Sequence, residues 1–192
     1  KNKIEINNMI ESHIYDGVAL TKFLYWIKRE NKKIITEFEA QNKLEKFRKM
    51  NKKYLFPSFN TIAGTAGNGA IVHYRAKKSN TKKIQKSDIF LCDSGGQYKY
   101  GTTDVTRTIC FSNPKLKIKN IFTQVLIGHI SVVSSNLNKA KYGKLIDIEA
   151  RRYLKKSKLD YEHGTGHGVG FFSNVHEGPQ SISKNNKIKL RE

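Results

Sequence analysis

The sequence predicts an α+β fold, and three observations carry that prediction. Helical periodicity fills the first 53 residues; β-branched and glycine-rich texture takes over from Phe56; two more helical stretches precede an extended, glycine-rich tail that opens at Glu162. At 192 residues and 38% hydrophobic content, the chain has the size of one domain and enough apolar material for a core.

The elements follow in order. Residues 3–30 read as one long helix, on a stripe of Ile10, Ile14 and Val18 continued by Leu20, Phe23 or Leu24, and Ile27. A second helix starts at Thr36, where Glu39 completes a capping box, and runs through Leu44 and Phe47 to about Lys53. Strands are expected over residues 70–74, 89–93, 97–100 and 104–111, with Gly95-Gly96 as a turn between two of them. A third helix is expected over 116–138. Its segment from Ile121 to Val133 is the most apolar in the chain, but Thr123, Gln124, Gly128, His129 and Ser131 interrupt it, which makes it a core helix and not a membrane span. A fourth, over 147–157, sets Ile146, Ala150, Tyr153 and Leu154 on one face.

The net charge of +20 invites a nucleic-acid reading, which the composition argues against. Of 36 basic residues only 7 are Arg, the side chain whose bidentate fork suits bases and phosphates, and the lysines are scattered along the chain. A solvated basic surface is the better account. Cys92 and Cys110 lie in strand-like apolar runs and read as buried free thiols of a reducing cytoplasm.

Four polar clusters could carry chemistry: residues 91–96 (LCDSGG), 101–108 (GTTDVTRT), 163–170 (HGTGHGVG) and 174–179 (NVHEGP). Asp93 ends one strand and Asp104 opens another, an arrangement that can set two carboxylates face to face on neighbouring strands. Along the second strand Asp104, Thr106, Thr108 and Cys110 share a face. Two such carboxylates with a later His-rich segment make a site for Mn²⁺, Co²⁺ or Zn²⁺. His163 and His167 are four apart, but Gly164 and Gly166 disfavour a helix and no Glu follows the first His as in a helical zinc motif. As a strand, the segment puts its glycines on one face, open to close approach, and holds the two His roughly 13 Å apart, so that only one of them would bind a given ion. Neither glycine-rich segment fits a nucleotide loop.

In this order the four clusters, with the upstream residues Ser58–Ile62 and Asn68–Tyr74, resemble the pita-bread metallopeptidases, and among them the Xaa-Pro aminopeptidases (aminopeptidase P); TTDVTRT and NVHEGP favour that branch over methionine aminopeptidases. The resemblance implies a curved antiparallel sheet flanked by helices, forming one catalytic domain over residues 1–192. It implies Asp93, Asp104 and His167 as metal ligands, His73 and His176 as groups that contact substrate and stabilise the reacting centre, and His163 on the proline side of the substrate pocket. It further implies two divalent ions, Mn²⁺ first with Zn²⁺ or Co²⁺ as alternatives, about 3.5–4 Å apart and sharing a hydroxide. The expected partners are peptides with proline in second position and, at most, a second copy of the chain; no membrane and no specific nucleic acid is expected, and the location is cytoplasmic. The family's last two ligands are glutamates on strands beyond NVHEGP. Here the sequence continues SISKNNK to Glu192, which is not assigned to the site, so three of five ligands are present. The expectation is a fragment with an unpaired sheet edge and without an upstream domain; the alternative is a pita-bread remnant that binds peptides or proteins without cleaving them.

Overall fold

The computed structural model describes residues 1–30, 34–139 and 142–191; Glu192 lies outside them. It contains two compact units, Lys1–Asn113 with Val169–Val175, and Pro114–Gly168 with His176–Glu192.

In the first unit, helix α1 (Lys3–Arg29) starts on a capping box of Asn2 and Glu5, and α2 (Glu37–Lys49) on the expected box of Thr36 and Glu39. Helix α2 stops short of Lys53, where Asn51 Oδ1 accepts from the Lys53 N–H and holds a turn. Strands β1 (Tyr54–Pro57), β4 (Gly96–Tyr98) and β5 (Gly101–Thr102) form one antiparallel sheet in the order β1-β4-β5, and β2 (Ile62–Thr65), β3 (Ile89–Ser94) and β6 (Val105–Cys110) form another in the order β2-β3-β6. Leu20, Phe23 and Ile27 of α1 and Ala40 and Leu44 of α2 pack with Ala63, Phe90 and Cys92 of the second sheet, with Val105 and Ile109 at the margin. The alternation of β3 thus puts Phe90, Cys92 and Ser94 inside and leaves Leu91 and Asp93 half-buried on the other face.

The expectations for the α1 stripe and for residues 70–74 also fail in this unit. Ile10, Ile14 and Val18 are exposed, and α1 instead buries Ser12, Asp16, Ala19, Leu20, Phe23 and Ile27. The buried face is set by an ion pair and by small residues: the Arg48 guanidinium grips the Asp16 carboxylate through Nε at 2.6 Å and Nη2 at 3.0 Å. Residues 70–74 form no strand. A 3-10 turn (Ala66–Ala70) leads into a bend, Ile71 and Val72 are exposed, and side-chain hydrogen bonds described below replace a ladder.

In the second unit, α3 (Leu116–Val133) and α4 (Gly143–Lys156) pack where Gly128 meets Ala150; a Cβ on Gly128 would stand 2.3 Å from the Ala150 carbonyl oxygen. Ile146, Ala150 and Leu154 are buried as expected, and Tyr153 is half-buried. Helix α3 ends before Asn138 and is not a core helix. Gly128 is its only buried residue, while Phe122, Val125, Leu126, Ile130 and Val133 are exposed. Strands β7 (Gly166–Gly168) and β8 (Glu177–Ile182) pair antiparallel. Among the described residues no helix is long and apolar enough to cross a membrane.

Candidate active site

Asp93 and Asp104 lie at the same end of the β3–β6 ladder, in the first unit. Asp93 is not directly opposite Asp104, as the sequence suggested. Its cross-strand partner is Thr106, which donates its hydroxyl to Asp93 Oδ1 at 2.8 Å, and Asp104 stands two residues before Thr106, just ahead of β6. The intervening chain is fixed by buried polar contacts. Gly96 N–H donates to Thr103 Oγ1 at 2.8 Å, Thr103 N–H to Gly96 O at 2.9 Å, and Ser58 Oγ to Thr103 O at 2.7 Å. Thr102 and Thr103 are both fully buried, so the first half of TTDVTRT is scaffold that delivers Asp104 to a half-buried position. At Gly95 a Cβ would lie 1.9 Å from the Thr103 carbonyl oxygen, so only glycine fits this close approach.

His73, also in the first unit, is exposed and has φ 56°, the left-handed region that L residues avoid at a cost of ~1–3 kcal/mol. Such strain persists only where surrounding contacts over-determine it. The residue after it is tied down: Glu37, a fully buried carboxylate at the first turn of α2, accepts the Tyr74 hydroxyl at 2.7 Å.

His163, His167 and His176 belong to the second unit and are all exposed. His167 sits at the centre of β7, opposite Ser181, and its ring meets the ring of His176 edge-on with centroids 4.2 Å apart. His163 lies outside β7 and stacks on Tyr161 at 4.8 Å. The expected extended segment is therefore only three residues long. Close approach to the glycines occurs at Gly168, where a Cβ would be 2.8 Å from Glu177 O, and at Gly170, where it would be 2.6 Å from Asn174 O, whereas Gly164 and Gly166 make ordinary contacts with residues 182–183.

Three supports escaped the sequence reading. Arg48 extends from Asp16 to Ser94 Oγ at 3.0 Å, directly behind Asp93, while Tyr98 donates its hydroxyl to Asp16 at 2.9 Å. Arg151, buried in α4, binds Asp147 and Asp160 and donates to the carbonyls of Tyr161 and His163 at 2.6 and 2.7 Å, and so shapes the turn before His167. Glu37 is the third. The spacing of Asp147 and Arg151, four apart on a helix, was a readable signal for the second; Asp16 inside an apolar stripe was one for the first.

The donors suit a divalent ion in kind. Asp93 offers a hydroxyl-oriented carboxylate, and the 2.8 Å contact of His167 Nδ1 with Gly168 O, read as an N–H donor, directs the imidazole lone pair to Nε2. Asp93 and Asp104 belong to one unit and His167 to the other, and among the described residues no three His, Cys, Asp or Glu side chains form a group that would hold a metal ion.

The model of metallopeptidase family M24 matches residues 7–192. The chain belongs to metallopeptidase family M24. Among curated relatives, it is 46% identical over 185 residues to a probable Xaa-Pro aminopeptidase P of Podospora anserina, covering 95% of this chain and 27% of the relative. A probable Xaa-Pro aminopeptidase P of Laccaria bicolor is 46% identical over 184 residues, with 95% and 29% covered. Among solved structures, the X-prolyl aminopeptidase of Caenorhabditis elegans, described as a cytosolic enzyme with a di-nuclear active site, superposes with a TM-score of 0.88 at 39% identity, covering 100% of this chain and 32% of that one. The prolidase of Pyrococcus horikoshii gives 0.85 at 29% identity, with 100% and 52% covered. The pita-bread α+β fold of the M24 family is thus the fold of this chain, which spans less than a third of the curated relatives it matches.

Proposed function

We propose that this M24 chain carries part of the active site of a cytoplasmic, metal-dependent aminopeptidase that releases the first residue of peptides with proline in second position. In this reading Asp93, Asp104 and His167 are metal ligands, and His73, His163 and His176 face the peptide, His163 on its proline side. The observation that carries the reading is the edge-on contact of His167 and His176 at 4.2 Å, which sets a group suited to metal beside a second imidazole. The 46% identity to proteins described as Xaa-Pro aminopeptidases P supports the substrate class.

Hard carboxylate oxygens with imidazole suit two Mn²⁺ ions, with Zn²⁺ or Co²⁺ as alternatives. When bound, such ions supply a nucleophile at neutral pH and polarise the attacked carbonyl. The chain's own part is to orient and stabilise: His73 and His176 donate hydrogen bonds where negative charge develops on the carbonyl oxygen, a contribution realised mainly in the transition state.

The test is Mn²⁺ binding by the chain, read by titration calorimetry, beside release of alanine from Ala-Pro-Ala followed by mass spectrometry. Mn²⁺ binding is expected to vanish in Asp104→Asn, and any release by the chain to fall on the order of 10²-fold in His176→Ala. Equal release from Ala-Ala-Ala would remove the proline preference. Peptide binding by a chain that takes up none of Mn²⁺, Zn²⁺ and Co²⁺ would replace the enzyme by a peptide-binding remnant.

A further inference from the structure

Residues 65–82 form a long loop with little regular structure, yet one buried side chain holds it at four places. Glu37 Oε1 accepts the Thr65 N–H at 2.8 Å and the Asn68 side-chain amide at 3.0 Å; Oε2 accepts the Tyr74 hydroxyl at 2.7 Å, the Lys82 N–H at 2.9 Å and the same Asn68 amide at 3.1 Å. The Glu37 N–H in turn donates to Lys82 O at 3.0 Å, so the first turn of α2 grips both ends of the loop. Every partner is a neutral donor, and a carboxylate saturated this way needs no cation to be buried.

The contact with Tyr74 is the informative one. Tyr74 follows His73, the exposed residue with φ 56°. Asn68 donates to the Tyr74 hydroxyl oxygen at 2.8 Å while that hydroxyl donates to Glu37, and the Tyr74 N–H donates to Ile71 O at 3.1 Å. The Tyr74 phenol is pushed up to about 12, by burial first and by Glu37 second, so it remains a donor throughout the neutral range. A residue with its neighbour clamped in this way can be held in a conformation it would otherwise leave.

From these contacts we infer that Glu37 is a positioning residue for His73: through Tyr74 it fixes the left-handed backbone that presents the His73 imidazole to the peptide. The inference rests on the proposed reading of His73 as a substrate group. It assigns a role to a residue that touches neither metal nor substrate.

Glu37→Gln puts an amide donor against the Thr65 N–H in one orientation and the Lys82 N–H in the other, whereas Tyr74→Phe removes the hydroxyl shared with Glu37 and Asn68 and leaves the Glu37 contacts with Thr65 and Lys82 in place. NMR of the zinc-supplemented chain separates their effects, with Ala-Pro-Ala as the probe. In Glu37→Gln, exchange of the Thr65 and Lys82 amides should accelerate on the order of tenfold or more, and the His73 ring signals should move and lose their response to peptide. Tyr74→Phe should reproduce the His73 changes while Thr65 and Lys82 stay protected, which answers the question even if Glu37→Gln does not fold. His73 signals and peptide response unchanged in Tyr74→Phe would overturn the inference. If the peptide leaves His73 untouched in the wild type while both variants shift it, the substrate reading of His73 fails and the hold of Glu37 on it stands.

Discussion

Thr106 faces Asp93 across the β3–β6 ladder and donates its hydroxyl to Asp93 Oδ1 at 2.8 Å. A carboxylate held by an outer hydrogen bond keeps its second oxygen and its orientation for a metal, and loss of such a partner typically costs 10- to 100-fold in metal affinity. Thr106→Val is therefore expected to weaken Mn²⁺ binding by about tenfold and Thr106→Ser to leave it near wild type. Thr106 is exposed, so stability should change by less than about 0.5 kcal/mol. Titration calorimetry with Mn²⁺ checks this; equal affinities for Thr106→Val and wild type would detach Thr106 from the proposed site.

The ion pair behind Asp93 makes a prediction about stability. Arg48 and Asp16 are both fully buried, and Arg48 Nη1 has no hydrogen-bond partner among the described residues. Desolvation offsets much of the attraction in such a pair, but removing one member strands the other charge. Arg48→Met should cost about 3–5 kcal/mol, and adding Asp16→Asn should recover part of that loss. Urea denaturation measures both, and a double variant as unstable as the sum of the singles would refute the coupling.

Much of the fold was legible because it rests on local chemistry. The Thr36–Glu39 capping box, the strands expected over 89–93 and 104–111 and the buried face of α4 were readable from local pattern, and the two strands appear within a residue of their expected bounds. The α1 stripe was not. Leu20, Phe23 and Ile27 obey the hydrophobic period, but nearer the start of the helix a partner 32 residues away, Arg48, draws Asp16 inward and turns Ile10, Ile14 and Val18 outward. The loop before His73 misled for a similar reason. Ile71-Val72 looks like a strand, but its conformation is decided by Glu37, Asn68 and Tyr74, whose contacts span up to 37 residues. Asp93, Asp104 and the histidines were singled out by residue type, whereas Glu37, Arg48 and Arg151 position the chain around them and carry no motif.

Cys92 offers a check on the core. It is 1% exposed within the cluster formed by Phe23, Leu44 and Phe90, and burial pushes its thiol up to about 12. The thiolate is the reactive form, so Cys92 should resist iodoacetamide at pH 8 until the chain unfolds. A raised acid favours the protonated form in the folded state. Its contribution is present below the unfolded thiol pKa of about 8.5 and is lost as pH rises above it. Mass spectrometry after native and denatured labelling reads the outcome, and rapid native modification of Cys92 would contradict its place in the core.

The turn before His167 should fail in acid. Burial works to raise the Asp160 carboxyl, but hydrogen bonds from the Arg151 guanidinium, the Tyr161 N–H and Lys184 outweigh it and hold the group well below the usual carboxylate range. A depressed acid binds its proton more readily in the unfolded chain, so its stabilisation is present above the unfolded value of about 3.9 and is lost as pH falls below it. Released from Asp160, Arg151 would still hold Asp147 but with a weaker grip on the Tyr161 and His163 carbonyls. Thermal melts between pH 6 and pH 2 should therefore show a steeper acid-side loss of stability in the wild type than in Asp160→Asn, which starts lower and has no carboxylate to titrate. At neutral pH the same substitution should broaden or shift the His163 and His167 ring signals, since Arg151 shapes the backbone leading to both. Parallel acid-side slopes for the two proteins would show that Asp160 does not carry this linkage.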